Sequence, residues 1–529
     1  MRWLKIPLLT VAAAAVAGAV LRLLNPLPSL GGREASRALP TPPAMAWEDQ
    51  DAVAAMQAGQ SGFHLLADGP DAFATRVLLA RSARRSIDAQ YYIWHDDLTG
   101  GILFDELLAA AERGVRVRLL LDDNNTAGLD PLLARLNAHP NIQIRLFNPF
   151  TIRQPRLLGW VLDFGRLNHR MHNKSFTVDN QATVVGGRNI GDEYFGTGEG
   201  AVFVDLDTLA VGPVVGDTSR DFDRYWNSLS AYPAEWIIDR EAARQRLQRT
   251  SRTTPEAARY LQSIRQSETV AQLAAGTLPL TWAPATLVSD DPAKARRKGD
   301  PSLLLITRLE EVLGVPRERL GLVAGYFVPT DTSSAKLLDV ARRGVRVEVV
   351  TNSFAATDVP VVHSGYADDR KALLRGGVGL WELKPSASGE RRNRSWRGGG
   401  SGSGSGSSGE GGASGVPQGA GQALHAKTFT VDGERLFIGS FNFDPRSARL
   451  NTELGFVIDS PELTRSVEDR LAQVLPQVAY QVRLTSANDL EWMERRGDRT
   501  VVHSSEPGTT VWSRAAITVL SWLPVEWLL

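Results

Sequence analysis

A chain of 529 residues is longer than a single hydrophobic core usually organises, so two or more domains are expected. Its 59 Lys and Arg balance 59 Asp and Glu, which argues against a polyanion such as DNA as partner, because nucleic-acid binding rests on excess basic charge. The absence of cysteine excludes disulfides, cysteine nucleophiles and thiolate metal sites.

Taken in chain order, residues 1–30 read as a targeting segment. Arg2 and Lys5 precede an apolar run from Ile6 to Leu21, followed by Arg22 and Pro26. A charged start and an apolar stretch with no polar stripe fit a signal peptide, cut near Ala15-Val16-Ala17, or an uncleaved signal anchor. A first α/β unit is expected over 46–250. In it Ile87–Trp94 (IDAQYYIW) reads as a strand and Leu103–Ala111 as a helix. Residues 112–123 (ERGVRVRLLLDD) then read as a buried strand after a helix-ending glycine. The paired acids Asp96-Asp97 and Asp122-Asp123 complete no metal-ligand set and read as strand-end caps. Leu157–Phe164 (LLGWVLDF) fits a lipid-facing loop or a buried helix equally well.

After a polar, partly helical linker at Thr250–Ala274, the pattern repeats. Leu320–Val328 (LGLVAGYFV) matches the first strand, Ala335–Ala341 the helix, and RRGVRVEVVTNS at 342–353 the second strand. A second unit is therefore expected over 275–480. Within it residues 386–422, rich in Gly, Ser and Arg, form a flexible surface insertion. The tail, 481–529, ends in Val511–Leu529 with Trp512, Trp522 and Trp527. Such a segment suits the lipid headgroup zone or docks on the core. The expected fold is α/β: two similar domains, each a mixed β-sheet flanked by helices, related by a pseudo-two-fold axis.

The chemistry lies in HNKSFTVD at 172–179 and HAKTFTVD at 425–432. Each is H-x-K-x4-D, and each is followed at one offset by Gly-x-x-Asn: Gly186 and Asn189, Gly439 and Asn442. On a strand, His172 and Lys174 share a face, as do His425 and Lys427. A tight turn at Asp432-Gly433 would place Ser440 opposite His425, and one at Asp179-Asn180 would place Gly187 opposite His172. Asp179 and Asp432 lie at the hairpin end and read as structural. Two such patches meeting would offer two imidazoles, two ammonium groups and two amides, an inventory that fits a phosphodiester. Lysines and amides bind the non-bridging oxygens, one neutral histidine attacks phosphorus, and the other, protonated, serves the leaving alkoxide. No metal or cofactor is required. Each imidazole needs a carboxylate at Nδ1; Glu453 is the candidate for the second half, at His425, and Asp205 for the first, at His172.

Doubled H-x-K-x4-D with Gly-x-x-Asn resembles the phospholipase D superfamily. DAQYYIWHDD, MHNKSFTVDNQATVVGGRNIGDEYF, DFDRYWNS, LHAKTFTVD and GSFNFDPRSARLNTELG resemble its bacterial cardiolipin synthase C-type branch. The resemblance implies a transferase that carries a phosphatidyl group on a histidine and hands it to an acceptor alcohol of a second phospholipid, giving cardiolipin. It assigns the nucleophile to His172 and the general acid/base to His425. It also implies a bacterial cell membrane location through the N-terminal apolar segment. The implied partners are phospholipids (phosphatidylglycerol, with phosphatidylethanolamine as a further candidate) and the membrane, with no nucleic acid. The alternative is hydrolysis with water as acceptor, as in a phospholipase D or a nuclease. The catalytic core serves both reactions; apolar segments at both ends favour lipid.

Overall fold

The computed structural model describes residues 16–42, 50–197, 202–239, 241, 255–385 and 422–510. The predicted cleavage site's Ala15, most of the apolar run Ile6–Leu21, the Gly/Ser-rich insertion up to 421 and the Trp-rich segment from 511 lie outside the described residues. Among the described residues no helix is long and apolar enough to cross a membrane.

Two sheets form the frame. The first is built from β1 (Ser61–Leu66), β2 (Ser86–Ile93), β3 (Arg116–Asn125), β4 (Ile142–Phe147), β5 (Ser175–Val178) and β6 (Ala182–Gly186). A short β7 (Val202–Val204) follows, outside this sheet, and β8 (Asp207–Val211), β9 (Ala231–Pro233) and β10 (Thr281–Ala283) complete it. Its order is β10-β1-β8-β6-β5-β2-β3-β4-β9. The second contains β11 (Ala285–Ser289), β12 (Arg319–Ala324), β13 (Arg346–Asn352) and β14 (Gly379–Leu383). After β15 (Gln422–Leu424), it continues with β16 (Lys427–Val431), β17 (Arg435–Gly439), β18 (Leu454–Asp459), β19 (Ala479–Leu484), β20 (Leu490–Arg496) and β21 (Arg499–His503). Its order is β11-β18-β17-β16-β12-β13-β14-β19-β20-β21.

Eight strands of one sheet map onto eight of the other in the same spatial order. The parallel pairs β2–β3–β4 and β12–β13–β14 sit centrally, and their flanking pairs are antiparallel. This is the mixed sheet expected from the repeat. The apolar, β-branched runs VRLLL and VEVV are buried because helices cover the parallel strands, Leu98–Glu112 in the first half and Asp331–Arg342 in the second. Asp97 caps the first of these helices, its carboxylate accepting from Gly100 N at 2.9 Å.

Strand pairing crosses the limits expected for the two units. β10, on the far side of the linker, pairs with β1 and belongs to the first sheet. At the other end β19 runs across position 480, and β20 and β21 extend the second sheet into the tail. A backbone edge is satisfied by whichever strand reaches it, and the local pattern does not name that partner.

Between the halves, β6 and β8 lie against β17 and β18. Phe63, Val185, Ala210, Leu436, Ile438, Leu454 and Phe456 make one shared apolar cluster there. In addition β7 of the first half pairs in parallel with β15 of the second.

Each motif aspartate pins its hairpin to the next strand. The Asp179 carboxylate accepts from the backbone N–H of Arg84, Arg85 and Ser86 at 2.9, 2.8 and 2.8 Å, at the start of β2. Asp432 does the same for Arg317, Glu318 and Arg319 at the start of β12. Both aspartates have positive φ, 53° and 55°, an αL geometry that Asp tolerates better than most residues. The Asp179→Ala substitution leaves three donors without their acceptor and is expected to lower stability by about 2–3 kcal/mol. A denaturant midpoint equal to wild type would refute the anchoring role.

Candidate functional site

His172 and Lys174 lie in an extended segment just before β5, and Lys427 opens β16 two residues after His425. All four side chains are buried, as are Asn189, Asn442, Asp205 and Glu453. The hairpins that follow are one residue longer than the tight turn expected: Val178 pairs with Ala182, and Val431 with Arg435. Ser440 and Gly187 therefore do not take the ladder positions facing the histidines. Both instead adjoin the carboxylates. Ser440 Oγ donates to Glu453 Oε2 at 2.5 Å, and a Cβ at Gly187 would overlap the Asp205 carboxylate. Gly186 and Gly439 end β6 and β17, where a Cβ would strike Asp207 and the backbone at Leu454; only glycine admits that approach.

The carboxylate partners are crossed relative to the sequence reading. His172 Nδ1 lies 2.8 Å from Glu453 Oε2 of the second half, and His425 Nδ1 lies 2.5 Å from Asp205 Oδ2 of the first. Backbone docking explains the exchange. His172 N donates to Thr452 O and His425 N donates to Val204 O, each at 2.8 Å. Each histidine is thus fixed to the residue just before its carboxylate, and that residue always comes from the other half. The two imidazoles and the two carboxylates form one site that neither half holds alone.

Each lysine ammonium donates to the carbonyl of its own histidine, Lys174 Nζ to His172 O at 2.6 Å and Lys427 Nζ to His425 O. Burial lowers Lys174 to about 7 and Lys427 to about 8, against the attraction of Glu453 and Asp205. Burial and the ammonium groups also depress the imidazoles: His172 goes well below its ordinary value and His425 down to about 3. The two carboxyls differ. Burial pushes Glu453 up to about 7, Lys174 and the Ser440 hydrogen bond only partly opposing it. At Asp205 burial also works against ionisation, yet His425, Lys427 and Arg188 outweigh it and hold the group below the usual carboxylate range.

The two amides are not equivalent. Asn189 Oδ1 accepts from Ile93 N at 3.1 Å and its Nδ2 donates to Tyr194 Oη at 2.9 Å. Asn442 Oδ1 is buried with no partner among the described residues. Aromatic walls complete the site. Tyr92 lies 5.2 Å from the His172 ring, while Tyr194 and Phe203 of the first half flank His425 at 5.3 and 5.0 Å. Tyr326 stands 6.4 Å from His425. Sequence reasoning missed these residues, although Tyr92 and Tyr326 come from the matching strands YYIW and AGYFV, so the repeat carried part of the signal. Asp122, read as a cap, is a buried anchor: it pairs with Arg170 at 2.5 Å and accepts from Met171 N at 2.7 Å, fixing the approach to His172. His95 is half-exposed beside Glu193 and Asp97.

This constellation can hold an anion between two ammonium groups while one imidazole acts on each side of it. Residues 78–226 and 309–475 match the family described as "Cardiolipin synthase, PLD-like domain". The chain is 48% identical over 477 residues to cardiolipin synthase C of Escherichia coli (strain K12), covering 89% of this chain and 97% of that protein. Cardiolipin synthase B of the same strain is 24% identical over 429 residues, covering 81% of this chain and 84% of that one. Among solved structures, the phosphatidylserine synthase of Haemophilus influenzae Rd KW20 shares the fold. Its TM-score is 0.54 at 14% identity, over 90% of this chain and 99% of that chain.

Proposed function

Because this chain belongs to the cardiolipin synthase family of phospholipase D-like proteins, we propose that its two-histidine site transfers a phosphatidyl group between phospholipids through a phosphohistidine. The observation that carries this reading is the crossed pairing, in which each half supplies the carboxylate for the other half's imidazole.

In the first step the Nε2 lone pair of His172 attacks phosphorus and the bond to the headgroup oxygen breaks. His425 gives its Nε2 proton to the departing alkoxide. In the second step an acceptor hydroxyl gives its proton to His425 and attacks phosphorus. The P–N bond then breaks and returns its electron pair to His172. Lys174, Lys427 and Asn442 bind the non-bridging oxygens as their charge grows.

The unlike carboxyls support this division of roles. Asp205 stays ionised and so stabilises the imidazolium that His425 must become. Burial and the lysine charge keep His425 neutral in the empty site, and the phosphodiester anion offsets the lysine share. Donor and acceptor are phosphatidylglycerol and a second phospholipid, phosphatidylethanolamine being a further candidate. Attachment to the membrane runs through the apolar run Ile6–Leu21.

Purified protein incubated with labelled phosphatidylglycerol, with and without phosphatidylethanolamine, tests the reaction class. Cardiolipin is the expected product by mass spectrometry; phosphatidic acid as sole product would make the protein a hydrolase.

The pH profile tests the site. His172 attacks only when its proton sits on Nδ1, facing an ionised Glu453. Activity should therefore rise as pH passes through about 7. It should fall again from about 7 to 8, as Lys174 and Lys427 lose their protons. The limbs belong to the coupled set rather than to single groups. A flat kcat/KM between about pH 6 and 9 would contradict this account.

A further inference from the structure

The helix Arg156–Leu167, just upstream of the first motif, buries only Gly159 and Leu167. Leu157 and Val161, one turn apart, are 74% and 70% exposed. Residues 16–24 form a second helix against it. Gly18 is the buried contact there, placed so closely that a Cβ would overlap the Leu162 side chain. Arg22 pairs with Asp163 at 3.0 Å. Leu23 and Leu24 of this second helix are 78% and 71% exposed. Large apolar side chains exposed together mark a surface that meets a partner.

Charge identifies the partner. Between these helices and the turn at 296–298 lies a cavity of about 530 Å³, lined by Arg22, Val161, Leu162, Arg166, Arg296 and Arg297. Arg296, Arg297 and Lys298 are exposed. The acidic residue of the lining, Asp163, already holds Arg22 and Arg166. An apolar face beside clustered cationic side chains is complementary to a bilayer with anionic headgroups. The face is also continuous in sequence with the apolar run Ile6–Leu21.

Its position bears on the reaction. Only four residues separate Leu167 from His172. At the other end Arg156 donates to the carbonyls of Asp123 and Asn124, Asn124 Nδ2 donates to Tyr92 Oη at 3.4 Å, and Tyr92 walls His172. A surface that seats this helix in lipid seats the site at the lipid boundary.

We infer that the helices at 16–24 and Arg156–Leu167 form a membrane-docking face, and that the cavity between them takes an anionic phospholipid headgroup. The inference rests on the lipid reading of the site, but its test involves no turnover and can fail independently of phosphatidyl transfer. The chain has no cysteine, so Val161→Cys, and Leu157→Cys as a second position, each provide one attachment point for an environment-sensitive fluorophore. Val315→Cys, at a valine 64% exposed in the second half, is the control. The labelled full chain is placed in vesicles of phosphatidylcholine, alone or mixed with phosphatidylglycerol, with nitroxide-bearing acyl chains.

The expected result is quenching at 157 and 161 at least about twofold above that at 315, stronger with phosphatidylglycerol. Adding Arg296→Glu and Arg297→Glu should abolish that lipid dependence. Quenching at 161 no greater than at 315, or equal in the two vesicle types, overturns the proposal. So does a probe at 161 shielded in detergent by a second copy of the chain.

Discussion

Replacing His172 with alanine removes turnover, by a factor on the order of 10⁴–10⁶, the range seen when a covalent nucleophile is deleted. The same change at His425 also stops the natural reaction, so the two variants must be separated by substrate. A phosphatidyl ester of p-nitrophenol has a leaving group that needs no proton. With it, His425→Ala should release a burst of about one equivalent of nitrophenolate and then stall. The phosphohistidine on His172 forms but lacks the base that activates the acceptor. His172→Ala should give no burst. A burst from His172→Ala and none from His425→Ala would reverse the roles, and wild-type-like turnover in either would remove the mechanism.

The crossed carboxylates make the second prediction. Asp205→Asn and Glu453→Gln keep the size of each side chain but remove the charge that holds the Nδ1 proton. Each is expected to lose about 10²–10⁴-fold, as for other imidazoles deprived of their orienting carboxylate. The location of the damage is diagnostic. Asp205 bonds His425, so Asp205→Asn should behave like a weakened acid/base and regain its first step with the nitrophenyl ester. Glu453 bonds His172, so Glu453→Gln should stay slow with both substrates and lose the rise in activity near pH 7. Because the pair acts as one unit, Glu453→Gln added to His172→Ala should cost nothing further. Carboxylates acting within their own half would give the opposite pattern. Both acids are positioning residues, and the substrate dependence is a readout that general destabilisation would not produce.

Much of this protein is written locally. An H-x-K-x4-D motif, a Gly-x-x-Asn at fixed offset and a helix-Gly-strand unit each occupy a short stretch, and finding them twice revealed the duplication. Asp179 and Asp432 were legible as turn residues because αL geometry is a property of the residue and its neighbours. The aromatic walls were legible only in part. Tyr92 and Tyr326 both lie near the ends of the matched strands, but the register aligns Tyr92 with Gly325 and Tyr326 with Ile93, so comparing the strands gives the aromatic content there and not the positions.

The tertiary structure decided what depends on surfaces meeting. Sequence proximity pairs Glu453 with its own half; the docking of β7 on β15, and of the Met171 segment on Thr452, hands each carboxylate to the opposite histidine. The hairpin register moved by one residue because the turn is set by how Asp179 and Asp432 bind the neighbouring strands. Likewise the exposed face of the helix Arg156–Leu167 follows from which of its sides the core leaves uncovered. Residue type and spacing fix what a segment can do by itself. Which group from a segment hundreds of residues away sits against it is fixed only when the whole chain has buried its apolar surface.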